Sequence, residues 1–470
     1  MRDDEPLTLD RAAAAAPDPA TPPATVPAAP ARPAAVSAHE SAHRPPQWVR
    51  RLVITALLLA AVNLRPAITS LGALLKEVRD GLGMSGTMAG LLTSVPAACF
   101  ALFGFAAPRL ARRYGPGAVV CAGMAALTIG LLLRPLAGGT AVFLAASALA
   151  LAGIAVSNVL MPVIVKRYFP DKVGTVTGLY SMALSLGTAV AAAVSVPLTD
   201  AMGGSWRLGL GMWALLAALA VGPWILLVRD RSGVHVPRRS PAPMASSGAA
   251  AKAADTGAED SAPTSGSAGA PVLAPGEHGR ITRSRTAWML ACFFGLQGTA
   301  AYVTMGWMPQ ILRDAGISAG QAGVLLAVTM AMGVPLSFVL PPLAARMRSQ
   351  GPIVVLLAVC QIAGFLGLWA APAAAPYLWA LLLGVANCAF PLVLTMIGMR
   401  SRTGPGVVRL SAFAQSTGYL ISIPGPILVG TLNQATGSWG VPMVLMAVLV
   451  APQVLCGVLA GRNRQIEDEL

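Results

Sequence analysis

"LVITALLLAAVNLRPAITSLGALL", Leu52 to Leu75, is an apolar run interrupted at one point by a cation and a proline, Arg65 and Pro66. A helix needs about 20 apolar residues to cross a bilayer, so the run is long enough to span one. An arginine at the centre of such a helix costs on the order of 2.5–3.5 kcal/mol on insertion scales. Pro66 brings no N–H, so the carbonyl of Val62, one turn earlier, loses its helical partner. Two readings follow. Arg65 bonds to the freed carbonyl of its own broken helix, or it faces a central cavity and holds an electron-rich solute. By helical spacing, Thr69 and Gly72 share the face of Arg65. Asn63 lies roughly 200° around the helix and is expected to bond to a neighbouring helix instead.

Runs of the same kind recur along the chain, near 52–75, 87–109, 117–135, 141–164, 173–198, 207–228, 287–311, 321–343, 352–371, 374–399, 407–431 and 440–461. Hydrophobic residues make up 55% of the 470 and charged residues only 11%, against roughly 25% charged in soluble domains. The mean hydropathy is +0.67. An all-α polytopic membrane protein with 12 transmembrane helices is therefore expected. The net charge of +14 lies mostly in short gaps between the runs and is not interleaved with aromatics, which excludes nucleic acid as a partner. Basic residues alternate by loop. One side holds Arg50 and Arg51, then Arg109, Arg112 and Arg113, then Lys166, Arg167 and Lys172, and later Arg346, Arg348, Arg400 and Arg402. The other holds Lys76, Arg79, Arg134, Arg207 and Arg313. The richer side is expected to be cytoplasmic, with both termini there.

The domain plan follows: residues 1–50 a disordered cytoplasmic tail, 51–228 a first six-helix half, 229–286 a disordered cytoplasmic linker, 287–462 a second six-helix half, and 463–470 a short tail. The linker, with "SSGAAAKAADTGAEDSAPTSGSAGAP", has too few apolar residues to bury a core. No apolar core precedes Leu52, so a cleavable signal is not expected.

Chemistry-bearing residues are sparse. The four histidines all fall in the tail or linker, and none of the nineteen carboxylates falls inside an apolar run. Arg65 thus has no intramembrane counter-charge, and the usual buried carboxylate of proton coupling is missing. Glu77 or Asp80 at a helix mouth would have to serve, or facilitated diffusion needs neither. No Gly-Lys-Ser/Thr phosphate loop occurs, which argues against an ATP-driven pump. No metal, cofactor or enzymatic site is expected.

The halves repeat. "MSGTMAGLL" (84–92) returns as "ISAGQAGVL" (317–325), and "PRLARR" (108–113) as "PPLAAR" (341–346), the latter pair 233 residues apart. "GSW" at 204–206 recurs at 437–439, and Asn158–Pro162 is matched by Asn387–Pro391. Two six-helix halves in parallel duplication are the plan of the major facilitator fold. On "NLRPAITSLGALLKEVRDGLGMS", "VKRYFPDKVGTVTGLYSMALSLGTAVA" and "LSAFAQSTGYLISIPGPILVG", the chain resembles the cyanate/2-nitroimidazole transporter family of that superfamily. The resemblance covers about 50–460 without the linker. It implies transport of small polar or anionic solutes such as cyanate, or of nitro-azoles. It also exposes a departure. The superfamily's usual Gly-x-x-x-Asp-Arg-x-Gly loop reads "PRLARRYG" here, with Pro108 for the Gly and Arg112 for the Asp. Asp171 in the next basic loop is a candidate gating partner for Arg112 or Arg113.

Further candidates come from polar residues in apolar helices. Proline in each Asn-x-x-x-Pro frees the asparagine's own carbonyl, so Asn158, Pro162, Asn387 and Pro391, like Pro66, are expected to mark helix breaks that act as hinges, with solute contact the alternative for Asn158 and Asn387. Gly174, Gly178, Ser181 and Ser185 form a small-residue stripe read as close helix packing. Tyr180, off that stripe, Gln297 and Tyr302 on the seventh helix, and Gln415 and Tyr419 in the stripe Ser411–Gln415–Tyr419–Ser422 are candidate solute contacts beside Arg65 and Thr69. The expectation is a monomeric transporter in the cytoplasmic membrane that moves a small solute by alternating access. Multidrug efflux fits less well, with 6% aromatic residues. A non-transporting sensor lacks a signalling domain.

Overall fold

In a computed structural model, residues 47–229 and 281–469 are described. The first half runs through α1 (Gln47–Asn63) and α2 (Pro66–Ala73), which together make the first span, and the polar α3 (Leu75–Leu82) that follows it. It continues through α4 (Gly86–Tyr114), α5 (Pro116–Leu133), α6 (Thr140–Tyr168) and α7 (Val173–Ala201). Its sixth span is α8 (Trp206–Gly211) and α9 (Trp213–Arg229). The second half repeats the plan with α10 (Arg285–Asp314), α11 (Ala319–Ala331), α12 (Gly333–Arg346) and α13 (Gly351–Ala370). It ends with α14 (Pro376–Asn387), α15 (Ala389–Met399), α16 (Gly404–Ser422), α17 (Pro424–Thr436) and α18 (Gly440–Ala460). Among the described residues, eleven segments are long and apolar enough by themselves to cross a membrane. The twelfth is α16–α17, interrupted at Ile423 before Pro424.

The repeat holds at single residues. Ser85 caps α4 by accepting from Met88 N–H, and Ser318 caps α11 by accepting from Gln321 N–H. Gly90 lies so close to the other half that an added Cβ would sit 2.6 Å from the Pro426 carbonyl; at the matching Gly323 it would sit 2.7 Å from that of Ala192. The tryptophans of the two "GSW" repeats do matching work. Trp206 lies against Gly81, and Trp439 donates to Asp314 Oδ2 at 2.9 Å.

Several bonds that tie the halves together, among the described residues, lie away from the basic loops. Arg313 pairs with Glu77 at 2.7 Å, with Lys76 and Asp314 at 4.0 Å beside them. Thr87 N–H donates to Gln434 Oε1 at 3.1 Å, and Ser94 Oγ to the Ile423 carbonyl at 2.7 Å. Towards the basic loops the small-residue stripe of α7 behaves otherwise. Gly178, Ser181 and Ser185 lie within about 40° of Ala192, on the face that meets α11 further along. Yet a Cβ at Gly178 would meet nothing within 4 Å, and Ser181 is exposed. This corrects the close packing expected of the stripe. The helices that would close on it stand apart here.

Helix breaks fall at Leu64–Arg65, ahead of Pro66, and at Cys388, three residues ahead of Pro391. The break expected in the fourth span is absent, because α6 runs unbroken through Pro162. The same helix packs closely on α5, where a Cβ at Gly123 would sit 2.9 Å from the Gly153 carbonyl. Beyond α18, Ile466 is buried and its N–H donates to the Arg400 carbonyl at 3.0 Å. Glu469 accepts from Ser284 Oγ at 2.6 Å and Thr286 Oγ1 at 2.8 Å, and Glu467 from Ser401 Oγ at 2.5 Å. Slight burial pushes both carboxyl pKa values up, but these hydrogen bonds outweigh it and hold both below the usual range.

Candidate solute-binding site at the break of the first span

α1 ends at Asn63 because Pro66 cannot donate, and Leu64 N–H turns back to the Ala61 carbonyl at 3.2 Å. The helix restarts on the carbonyl of Arg65, which accepts from the N–H groups of Ile68 at 2.9 Å and Thr69 at 3.1 Å. Thr69 Oγ1 adds a third bond to it at 3.2 Å. Thr69 is fully buried, so its hydroxyl steadies the break rather than reaching a cavity. Asn63 donates to the Leu216 carbonyl of α9 at 3.2 Å, the interhelical bond expected of it. The Val62 carbonyl lies against Gly187 of α7. Among the described residues no hydrogen bond joins it to Arg65.

Arg65 itself is half-buried, and among the described residues its guanidinium has no hydrogen bond and no ion pair. Two phenols of the opposite half, Tyr302 on α10 and Tyr419 on α16, lie within its electrostatic reach. Tyr419 stacks on Phe100 of α4 at 5.0 Å and meets Phe294 edge-on at 5.0 Å. Tyr302 borders a small cavity with Ala67, Ile68, Gly72 and Thr93. Aromatic rings of both halves, Phe100 from one and Tyr419 and Phe294 from the other, thus stack between them.

A second arginine braces the break. Arg134 is fully buried; its Nη1 donates to the Ala67 carbonyl at 2.9 Å and its Nε to Ser147 Oγ at 3.0 Å. Its guanidinium lies 5.8 Å from the centre of the Phe143 ring. Two cations near one helix break, with no carboxylate paired to either among the described residues, make a site suited to negative charge or strong acceptors.

The other candidates are placed as follows. Tyr180 is half-buried and packs against the core. Gln415 is half-buried and donates to Ser411 Oγ, one turn back on its own helix, at 2.6 Å. Gln297 is buried inside the second half, where it meets Asn387. Asn158 is half-buried on the unbroken α6. Arg112 and Arg113 are exposed at the end of α4, with Arg113 over the Tyr114 ring at 5.2 Å. The side chain of Asp171 lies outside the described residues, and so does its expected pairing. Sequence reasoning missed Phe100, Phe294, Arg134, Gln361 and Gln453. The two glutamines had a usable signal, a lone amide in an apolar helix, which must find a partner.

The profile of the Major Facilitator Superfamily matches residues 54–402. The "Uncharacterized transporter YycB" of Bacillus subtilis (strain 168) is 34% identical over 416 residues, covering 88% of this chain and 94% of that one. The 2-nitroimidazole transporter of Escherichia coli (strain K12) is 31% identical over 424 residues, 89% and 97% of the two chains. The cyanate transport protein CynX of the same organism is 28% identical over 390 residues, 82% and 91%. Among solved structures, an inward-facing, occupied bacterial homolog of the human lysosomal transporter Spinster superposes with a TM-score of 0.66 at 17% identity, covering 90% of this chain and 98% of that one. At that identity the likeness bears on the fold alone.

Proposed function

The chain belongs to the Major Facilitator Superfamily of transporters, and from that premise we propose that it carries a small anion or acceptor-rich solute, cyanate-like or a nitro-azole, across the cytoplasmic membrane by alternating access. Arg65 is the anchor. The observation that supports this reading most is an intramembrane guanidinium with no hydrogen bond and no ion pair among the described residues, within electrostatic reach of two phenols of the other half. A solute that supplies the missing acceptors offsets the cost of holding that cation in the membrane. Relatives that carry 2-nitroimidazole and cyanate suggest the class. The halves rock about this site. Ties away from the basic loops close that end, and the open face of α7 leaves the other end accessible. The side rich in basic residues is cytoplasmic, with both termini. Glu77, paired with Arg313 across the halves, is a gate element.

The test is counterflow in proteoliposomes. Preloaded cyanate or 2-nitroimidazole should drive uptake of the labelled solute, and other small anions should compete. No counterflow with either probe contradicts the proposed class.

A further inference from the structure

Four amide side chains meet inside the second half: Gln297 on α10, Gln361 on α13, Asn387 at the end of α14 and Gln453 on α18. The three glutamines are buried. Gln361 and Gln453 exchange two hydrogen bonds, at 3.2 and 3.0 Å. Gln453 Nε2 also donates to Gln297 Oε1 at 2.9 Å, and Gln297 Nε2 donates to Asn387 Oδ1 at 3.5 Å. Apolar side chains would fill these positions without the cost of burying amides. The chain of bonds runs from helices at the back of the half to the break in the tenth span, so its end is the informative place.

Each amide has one carbonyl and two N–H donors. Gln453 spends its carbonyl on Gln361 and donates to Gln297, which makes Oε1 of Gln297 an acceptor and turns its Nε2 to Asn387. The Asn387 carbonyl is then occupied, and its Nδ2 is the free end. That nitrogen has no hydrogen bond among the described residues and is not among the sealed polar atoms. Asn387 is half-buried beside the Cys388 break and borders a pocket with Gln297, Ala301 and Thr304.

We propose that Asn387 is a further solute-binding residue, donating Nδ2–H to an acceptor on the solute. Gln453 and Gln361 are positioning residues that act through Gln297 to keep the donor end outward. The proposal rests on the anion or acceptor-rich reading of the solute given above. It gives the second half a hydrogen-bond donor of its own for the solute, in a pocket lined by residues of that half.

The experiment is KM and maximal rate of counterflow, with cyanate and 2-nitroimidazole as probes. Losing a hydrogen bond to an anion, Asn387→Ala should raise KM about tenfold or more. Asn387→Asp, which offers acceptors only, should raise it further. Gln453→Leu leaves buried amide atoms of Gln361 and Gln297 unpaired and should lower Tm; in the folded protein it should raise KM several-fold with the maximal rate nearly kept, yet add nothing to KM in the Asn387→Ala background, since the two act as one unit. Gln361→Met serves the same purpose should Gln453→Leu not fold. Equal effects of Gln453→Leu in both backgrounds, or an unchanged KM in Asn387→Ala, would overturn the proposal. Loss of uptake in Arg65→Ala together with an unchanged KM in Asn387→Ala would overturn this inference and leave the function standing. No counterflow with either probe would overturn both.

Discussion

The hydroxyl and the ring of Tyr419 do different work. The ring is held by Phe100 and Phe294, each 5.0 Å away, while the hydroxyl lies in the field of Arg65. Tyr419→Phe should keep the stack and the thermal stability but weaken solute binding. A hydrogen bond to a charged group is worth about 1.5–3 kcal/mol, so KM should rise at least about tenfold. Tyr419→Ala should also lower Tm, since it opens a cavity between the halves. An unchanged KM in Tyr419→Phe would remove its hydroxyl from the site. Arg65, Tyr302 and Tyr419 stood out in the sequence as candidates because a polar group in an apolar helix must face something other than lipid. Phe100 and Phe294 were not, since an aromatic ring in a membrane helix is ordinary and only the fold shows what it stacks on. Gln297 was read as lining; it borders a pocket with Asn387 and also accepts from Gln453, a partner 156 residues away that the sequence does not announce.

Among the elements, α7 makes the clearest prediction. Its face packs at Ala192 and is bare at Gly178. Alternating access brings the bare part against the other half. Gly178→Leu should therefore leave Tm unchanged or higher, because nothing occupies that space and leucine suits a helix better than glycine. It should reduce turnover by holding the basic-loop end open, visible as greater reactivity of cysteines introduced on that side. Normal turnover would mean that this face never closes. The segment after α18 gives a second prediction. Glu467 and Glu469 have folded-state pKa values held below the ordinary glutamate value of about 4.3. Their stabilisation is present above that value and is lost as pH falls through the lower folded-state values. Tm should thus fall on acidification below about 4.3, the range where free glutamates protonate. Glu469→Gln should fall less steeply than wild type; identical slopes would show that the contact adds nothing. The helix spans themselves were legible because length and apolarity fix them. The missing break at Pro162 was not, because a proline inside a packed helix need not end it.

For the whole molecule, duplication is the strongest organising fact. Repeats at a fixed spacing announced two halves, and the matching contacts of Gly90 and Gly323 show the same approach to the opposite half made twice. Which end is closed was not legible, since a sequence encodes both states of a rocking transporter at once. The ion pair of Arg313 with Glu77 belongs to one of them. Between the halves sits Arg65, and the central claim is that its charge is there for the solute. Arg offers a planar five-donor fork and Lys a compact ammonium, so the two are not equivalent at such a site. The direct measurement is uptake of cyanate and 2-nitroimidazole per folded transporter in proteoliposomes, for Arg65→Lys and Arg65→Ala beside wild type. The account predicts impaired uptake for Arg65→Lys and none for Arg65→Ala, with both proteins inserted and folded; wild-type uptake by Arg65→Ala would contradict it.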